Sequence, residues 1–431
     1  MEKPLPPKRL FLYPVITNIR LLSAAGFSPQ YVYFCWMNYL LFDPPWRSSL
    51  LPLAYTRPVC DFRLGLLSIR EKWEQELGSP CSTRTVTYLQ EKFPARLEDE
   101  NIYINGALLP GRELADAIRS LGPGQSLWQQ DRLLAMRCGK DENPDIALRH
   151  GADAGAINYE GEELHMIRHL WDLFLMLGDE IEKDIRERLG LRVVDQISDT
   201  NLVIGDRLYV DPSAKIEGAS INSETGPVYI GPHSEVMEGA CIRGPFALGE
   251  HSTVKMGAKI YGATAIGPHC KVGGEINNSN LFGYSNKAHD GFLGNAVIGE
   301  WCNLGADTNN SNLKNNYAEV KIWNYEKRGF INTGLQFCGL FMGDHSKSGI
   351  NTMFNTGTVV GVSANIFGGG FPRQFIPSFS WGGAVGMKSF RIEKALEVAR
   401  AVMKRRGKEP EQAERKILEH IFEISGEFRN Y

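Results

Sequence analysis

Residues 228–274 read VYIGPHSEVMEGACIRGPFALGEHSTVKMGAKIYGATAIGPHCKVGG. Eight positions six residues apart are all aliphatic: Ile230, Val236, Ile242, Leu248, Val254, Ile260, Ile266 and Val272. If about a fifth of ordinary residues are Ile, Val or Leu, a given run of eight arises by chance about once in a few hundred thousand. A period of six suits neither a helix at 3.6 nor a strand at 2. It is a hexapeptide repeat, and it predicts a parallel β-helix. Each hexad supplies one short strand and one turn, three hexads close a triangular coil, and every aliphatic points into the prism. The small residues Ser234, Ala240, Ser252, Ala258, Thr264 and Cys270 fit the inner corners, with Phe246 the exception. Gly, Asn and Asp supply the turn dihedrals.

The register extends outward. Val210 and Ile216 precede the run, and Ile298 and Leu304 resume it 26 residues after Val272. That interval predicts a loop leaving the coil between about 274 and 296. A third run, Met342, Ser348, Phe354, Val360 and Ile366, keeps phase, with a second excursion near 314–335. The solenoid is expected over 203–372.

Residues 37–195 alternate strand and helix signals and predict an α/β domain. YLLFD and NIYING read as strands; 66–77, 114–121 and 162–189 read as amphipathic helices, with Ser68 a cap for the first. Arg47, Arg57 and Arg63 follow the first strand and suit phosphate recognition, or else pair with Asp43 and Asp61. Residues 384–431 predict two helices broken at Gly407–Pro410. Residues 1–36 are read as an upstream extension before a working start at Met37, with a signal peptide as the alternative.

A net charge of −3 argues against general nucleic-acid binding. The eight cysteines show no C-x-x-C spacing, which favours reduced thiols in a cytosol over disulfides or zinc. No apolar run approaches 18 residues, so no transmembrane helix is expected.

Five segments carry a family resemblance: FDPPWRSSLLPLAYTRPVCDFRLGLLSIREKW (42–73), YINGALLP (103–110), STVKMGAKIYG (252–262), GGEINNSNLFGYSNKAHDGFLG (273–294) and WCNLGADTNNSNLKNNY (301–317). With them the chain resembles the bifunctional N-acetylglucosamine-1-phosphate uridylyltransferase/glucosamine-1-phosphate acetyltransferase family. It is most similar to the short Bacteroidetes-type sugar nucleotidyltransferase variant. The resemblance implies a left-handed coil, a homotrimer, and sugar 1-phosphate, acetyl-CoA and UTP as substrates, with Mg²⁺ where nucleotidyl transfer occurs. It places the general base at His289, since a neutral imidazole suits proton removal from a sugar amine. It aligns Lys255 with an arginine for the sugar phosphate, Asn312 with a sugar-contacting asparagine, and Asn303 and Ala306 with residues beside the thioester. An N–H there suits a tetrahedral oxyanion. Asp344 and Arg373 are further coenzyme candidates, with Lys388. Phe292 stands where the family has a tyrosine.

His233, His251 and His269 share one exposed turn position and read as structural, while His345 is left open. Cys302 and Cys338 read as packing residues. In the N-terminal part the L-x-x-G-x-G-T-R-M loop is missing; the resemblance implies Arg47 in place of its arginine and Ala107 in place of a magnesium-binding Asp, with Asn105 or Asp43 as candidate substitutes. Three readings remain: a bifunctional enzyme, an acetyltransferase with a nucleotide-sugar-binding or regulatory N-terminal domain, and a non-catalytic scaffold.

Overall fold

A computed structural model describes residues 37–140, 155–191 and 197–431. The reading of residues 1–36 lies outside the described residues. Met37–Tyr431 packs as one compact unit.

The hexads build a three-faced parallel prism. Its first face stacks nine strands from Leu208–Val210 to Phe375–Ile376. The second face runs from Lys215–Ile216 to Ser380–Gly383, closed by the antiparallel strand Gly386–Ser389. The third face holds six strands, Leu202–Ile204 through Phe292–Gly294, and continues in the pair Asn309–Asn310 and Met353–Phe354. Inward aliphatics stack coil on coil, as in Val236↔Val254↔Val272, and form one buried apolar core. The inner-corner hydroxyls also bond between coils: Ser252 Oγ donates to Gly267 O and accepts from Cys270 N–H. A small polar side chain there satisfies two backbone groups that the tight corner would leave buried.

The interval between Val272 and Ile298 is a correction. No loop leaves the coil there. The strands Glu275–Asn277, Asn280–Gly283, Asn286–Lys287 and Phe292–Gly294 continue all three faces. Their inward residues are Ile276, Leu281, Lys287 and Leu293, so the prism advances in steps of four to six residues instead of six. The shortened turns broke the periodicity without breaking the coil. The second excursion is real. After Asn309–Asn310 the chain leaves the prism, forms the hairpin Lys321–Asn324/Gly329–Asn332, and returns at Leu340.

Among the described residues the α/β part holds a six-stranded mixed sheet with Asn38–Phe42 between Cys81–Arg84 and Glu100–Asn105, all three parallel. The helix Ile69–Leu77 starts at a Ser68/Glu71 capping box and stops at left-handed Gly78. The helix expected over 162–189 begins only at Asp172. Upstream, backbone bonds tie Leu109 N–H to His165 O and Ile167 N–H to Ala107 O. Asp172 takes the Arg168 and His169 N–H groups, so tertiary pairing overrides the helical pattern.

This part rests on the first face of the prism. The outward residues there are apolar too: Ala247, Ala265, Val297, Phe341 and Val359 are buried and belong to the α/β core. A sheet buried on both sides loses the apolar/polar alternation of a half-exposed one. The C-terminal helices Ile392–Lys404 and Gln412–Ile424 are broken at Gly407 as expected. The second ties to the α/β part through Lys92–Glu414 (2.7 Å) and Lys416–Glu91 (2.8 Å).

Candidate active site

His289 sits on the corner between the second and third faces, in the turn joining Asn286–Lys287 to Phe292–Gly294. Its side chain is exposed. The turn is tight because it crosses two glycines of the preceding coil: a Cβ on Gly274 would lie 2.8 Å from His289 O. Gly291 takes φ +115°, a backbone conformation closed to other residues.

Beside this corner the second face and the end of the helix Ile392–Lys404 enclose a groove of about 710 Å³. His289, Asn303 and Ala306 line it together. Four cations join them, Lys271 and Lys347 from the strands and Arg405 and Arg406 from the helix end, and among the described residues no acidic one lines the groove. Ile350, Val398 and Val402 give it an apolar stretch. Arg406 donates to Asn286 Oδ1 at 3.1 Å, which fixes the helix end over the face. Burial pulls the Lys347 ammonium down to about 8, and it donates to His345 O at 2.7 Å. The alternating Lys and Asn of the second face gave no signal in the hexad reading, which tracked inward positions only.

Lys255 stands on the same corner row as Gly273 and Ala288, two coils away and so about 10 Å along the prism. It faces the Met237 sulfur at 3.4 Å and does not line the groove. Asn312 donates to Asn295 Oδ1 at 2.8 Å. Asn278 Oδ1 accepts from Asn295 Nδ2 in turn at 3.0 Å. Asn312 is thus the end of an asparagine ladder at the opposite edge of the third face. Phe292 folds its ring over Gly294. Arg373 and Lys388 are exposed and lie off the groove.

Three expectations meet a different arrangement. Arg57 does not face an open phosphate site: it is 7 % exposed, pairs with Glu300 at 3.0 Å and with Asp344, and lies over the Phe282 ring. Asp344, 3 % exposed, also accepts from Thr56 at 2.7 Å and from Glu300 N–H at 2.8 Å, which leaves it no role toward a coenzyme. The pair clasps the α/β part to the prism. Arg47 is likewise turned inward, paired with Asp43 at 3.0 Å and bonded to Ala54 O and Tyr88.

The residues at the strand ends do not suit Mg²⁺. Asp43 is spent on Arg47, Thr85 and Val59 N–H. Asn105 bonds Ala107 N–H and Leu133 O, and Ala107 carries no ligand atom. Among the described residues no group of three His, Cys, Asp or Glu is placed to hold a metal ion.

His233, His251 and His269 stack at 4.9 Å spacing, and the row continues through Tyr284 and Trp301 to His345. All six take φ of 52–61° at equivalent turns. His345 therefore belongs to this ladder; burial, reinforced by Lys347, pushes its imidazole down to about 3. Cys302 and Cys338 are buried, and burial pushes both thiols up to about 12. Neither is poised as a nucleophile.

A family model described as sugar nucleotidyl transferase matches residues 39–189. No curated protein matches the chain. Among solved structures, the polySia-specific acetyltransferase NeuO is similar at 13% identity over 48% of this chain and 99% of its own, with a TM-score of 0.27. LpxA, a UDP-N-acetylglucosamine acyltransferase from Bacteroides fragilis, is similar at 15% identity over 53% and 96%, with a TM-score of 0.23. A UDP-N-acetylglucosamine acyltransferase from Arabidopsis is similar at 15% identity over 49% and 74%, with a TM-score of 0.19. No helix among the described residues is long and apolar enough to cross a membrane.

Proposed function

We propose that the chain is a sugar N-acetyltransferase, moving the acetyl group of acetyl-CoA to the amine of glucosamine 1-phosphate, with His289 as general base. The observation that carries this reading is the groove itself: one exposed histidine beside four cations, no acidic lining residue among those described, and an apolar stretch. Such a lining suits a phosphate-bearing thioester with an apolar pantetheine arm. His289 takes a proton from the amine as nitrogen attacks the carbonyl carbon. The C–N bond forms, a backbone N–H near Ala306 steadies the oxyanion, the C–S bond breaks, and the imidazolium returns its proton to the thiolate. Asn303 orients the thioester, and Arg405 and Arg406 hold the coenzyme phosphates.

Met256, Ile350, Phe367 and Phe371 are exposed apolar residues, and Ile350 stands on the corner row of His289 and Ala306. A homotrimer in the cytoplasm, with neighbouring prisms covering that corner, is the assembly this reading expects. Thiol release from acetyl-CoA in the presence of glucosamine 1-phosphate tests the activity. His289→Ala should lower kcat by about 10²–10⁴-fold; a variant that acetylates at the wild-type rate refutes the assignment.

Uridylyl transfer from UTP to N-acetylglucosamine 1-phosphate in the α/β part is a second activity, favoured by the family match over residues 39–189. Pyrophosphate release with and without Mg²⁺ tests it. Release of none, with acetylation intact, leaves that part a binding or regulatory domain.

A further inference from the structure

Lys287 occupies a row whose other members include Val254, Val272, Leu304 and Ile366. It is fully buried inside the prism. Among the described residues its ammonium forms no ion pair, and it donates to three main-chain carbonyls: Gly273 at 3.3 Å, Asp290 at 3.0 Å, and His289 itself. Two of these belong to the turn that carries the candidate base, and the third to the coil beneath it.

We propose that Lys287 is a positioning residue: its buried ammonium ties the Ala288–Gly291 turn to the preceding coil and so fixes the point from which His289 enters the groove. This rests on the proposed role of His289.

The placement costs stability. Burial pulls the Lys287 ammonium down to about 8, with the nearby charges of Asp290 and Asp307 opposing the shift. A prism that needed only packing would be served by another aliphatic residue at this position, as in the coils on either side. Loop bonding is also thinnest here. Between Asn286–Lys287 and Asn303–Leu304 only Asn286↔Asn303 remains in register, whereas the adjoining strand pairs keep two. The Asp290 carbonyl is further fixed by Asp307 N–H at 2.9 Å, so the ammonium closes a turn anchored from the next coil as well.

The test is Lys287→Met, which keeps length and restores an apolar interior, compared with wild type for hydrogen exchange and steady-state kinetics. The expected result is a folded protein whose 288–291 amides exchange at least about tenfold faster. Its kcat should fall by roughly 10–100-fold, the scale for a reacting group displaced by about an ångström, while KM for acetyl-CoA and for the sugar stays within about twofold. Lys287→Gln, which keeps a donor, should lie between the two. A folded Lys287→Met with wild-type kcat, unchanged exchange at 288–291, or a loss confined to KM overturns the proposal. If neither variant folds, Lys287 is a core residue only, and the proposal falls. If His289→Ala keeps full activity, the reading of the groove fails, but the exchange comparison still decides whether Lys287 holds the turn.

Discussion

Arg57 offers the sharpest discrimination between a ligand residue and a structural one. Its guanidinium is buried between Glu300, at 3.0 Å, and Asp344, which is itself 3 % exposed. Burial alone would depress its basicity; the two carboxylates outweigh that and raise it. In Arg57→Met the arginine is replaced by an apolar side chain, and Asp344 keeps only the Thr56 hydroxyl and the Glu300 N–H. Leaving a buried charge without its partner costs about 3–5 kcal/mol. Taking an unfolding entropy of about 2.1 cal/mol/K per residue, over roughly 400 residues this lowers Tm by about 4–6 °C. Adding Asp344→Asn to make the double variant removes the stranded charge, and the second substitution should cost less than in the wild type, with a coupling of about 0.5–3 kcal/mol. Thermal unfolding of the single and double variants measures this, alongside KM for sugar phosphate and acetyl-CoA. A clasp predicts a lower Tm with unchanged KM. A Tm within about a degree of wild type together with a tenfold rise in KM would show that Arg57 binds substrate phosphate and that the buried pair is incidental.

Lys72 is fully buried between Glu180 at 2.9 Å and Asp184, with Arg188 also on both carboxylates; Lys72→Met should cost about 3–5 kcal/mol in chemical denaturation, and an unchanged midpoint would contradict the network. Because the His345 imidazole is held near 3 in the folded state, the unfolded chain takes up its proton first. Stability is therefore lost as pH falls below about 6.5, by up to about 1.4 kcal/mol per pH unit. His345→Phe should flatten that acid limb between pH 6 and 4, and a parallel limb would refute the ladder assignment. Residues 197–431 expressed alone should aggregate or bind a hydrophobic dye, since Ala247, Ala265, Val297, Phe341 and Val359 lose their cover; a soluble, dye-negative prism would contradict the shared core.

The inward rows were legible because a prism repeats the same environment at every coil, so Val236, Val254 and Val272 report one physical demand three times. Local signals were equally readable: Ser68 and Glu71 start a helix, and Gly78 and Gly407 mark helix ends with left-handed backbone. What stayed hidden depends on partners distant in sequence. The bonds from Leu109 N–H to His165 O and from Ile167 N–H to Ala107 O draw 162–171 out of a helix its own pattern favours. Arg57 and Asp344 lie 287 residues apart, and nothing in either segment announces the other.

The site was legible in a similarly divided way. His289, Asn303 and Ala306 do share one groove, because a turn and the following strand of successive coils must lie side by side in any such prism. Lys271 and Lys347 escaped notice because they face outward, where the six-residue rule sets no residue type, and Arg405 and Arg406 belong to the basic end of a helix whose place over the prism no repeat announces. Lys287 escaped for a different reason. It points inward, but the shortened turns before it had already thrown the count out of phase, so no six-residue position fell on it. A polar residue in an apolar row is costly unless something is gained from it. In this chain the row fails beside the turn that carries the one exposed histidine lining the groove, and three main-chain carbonyls account for the ammonium's bonds. In a solenoid, then, a lost period marks either an insertion or shortened turns, and counting the 26 residues from Val272 to Ile298 alone does not tell them apart. The strands from Glu275–Asn277 to Phe292–Gly294 keep their partners on all three faces, which identifies this interval as coil with shortened turns and moves the interest from the loop that was expected to the buried ammonium inside it.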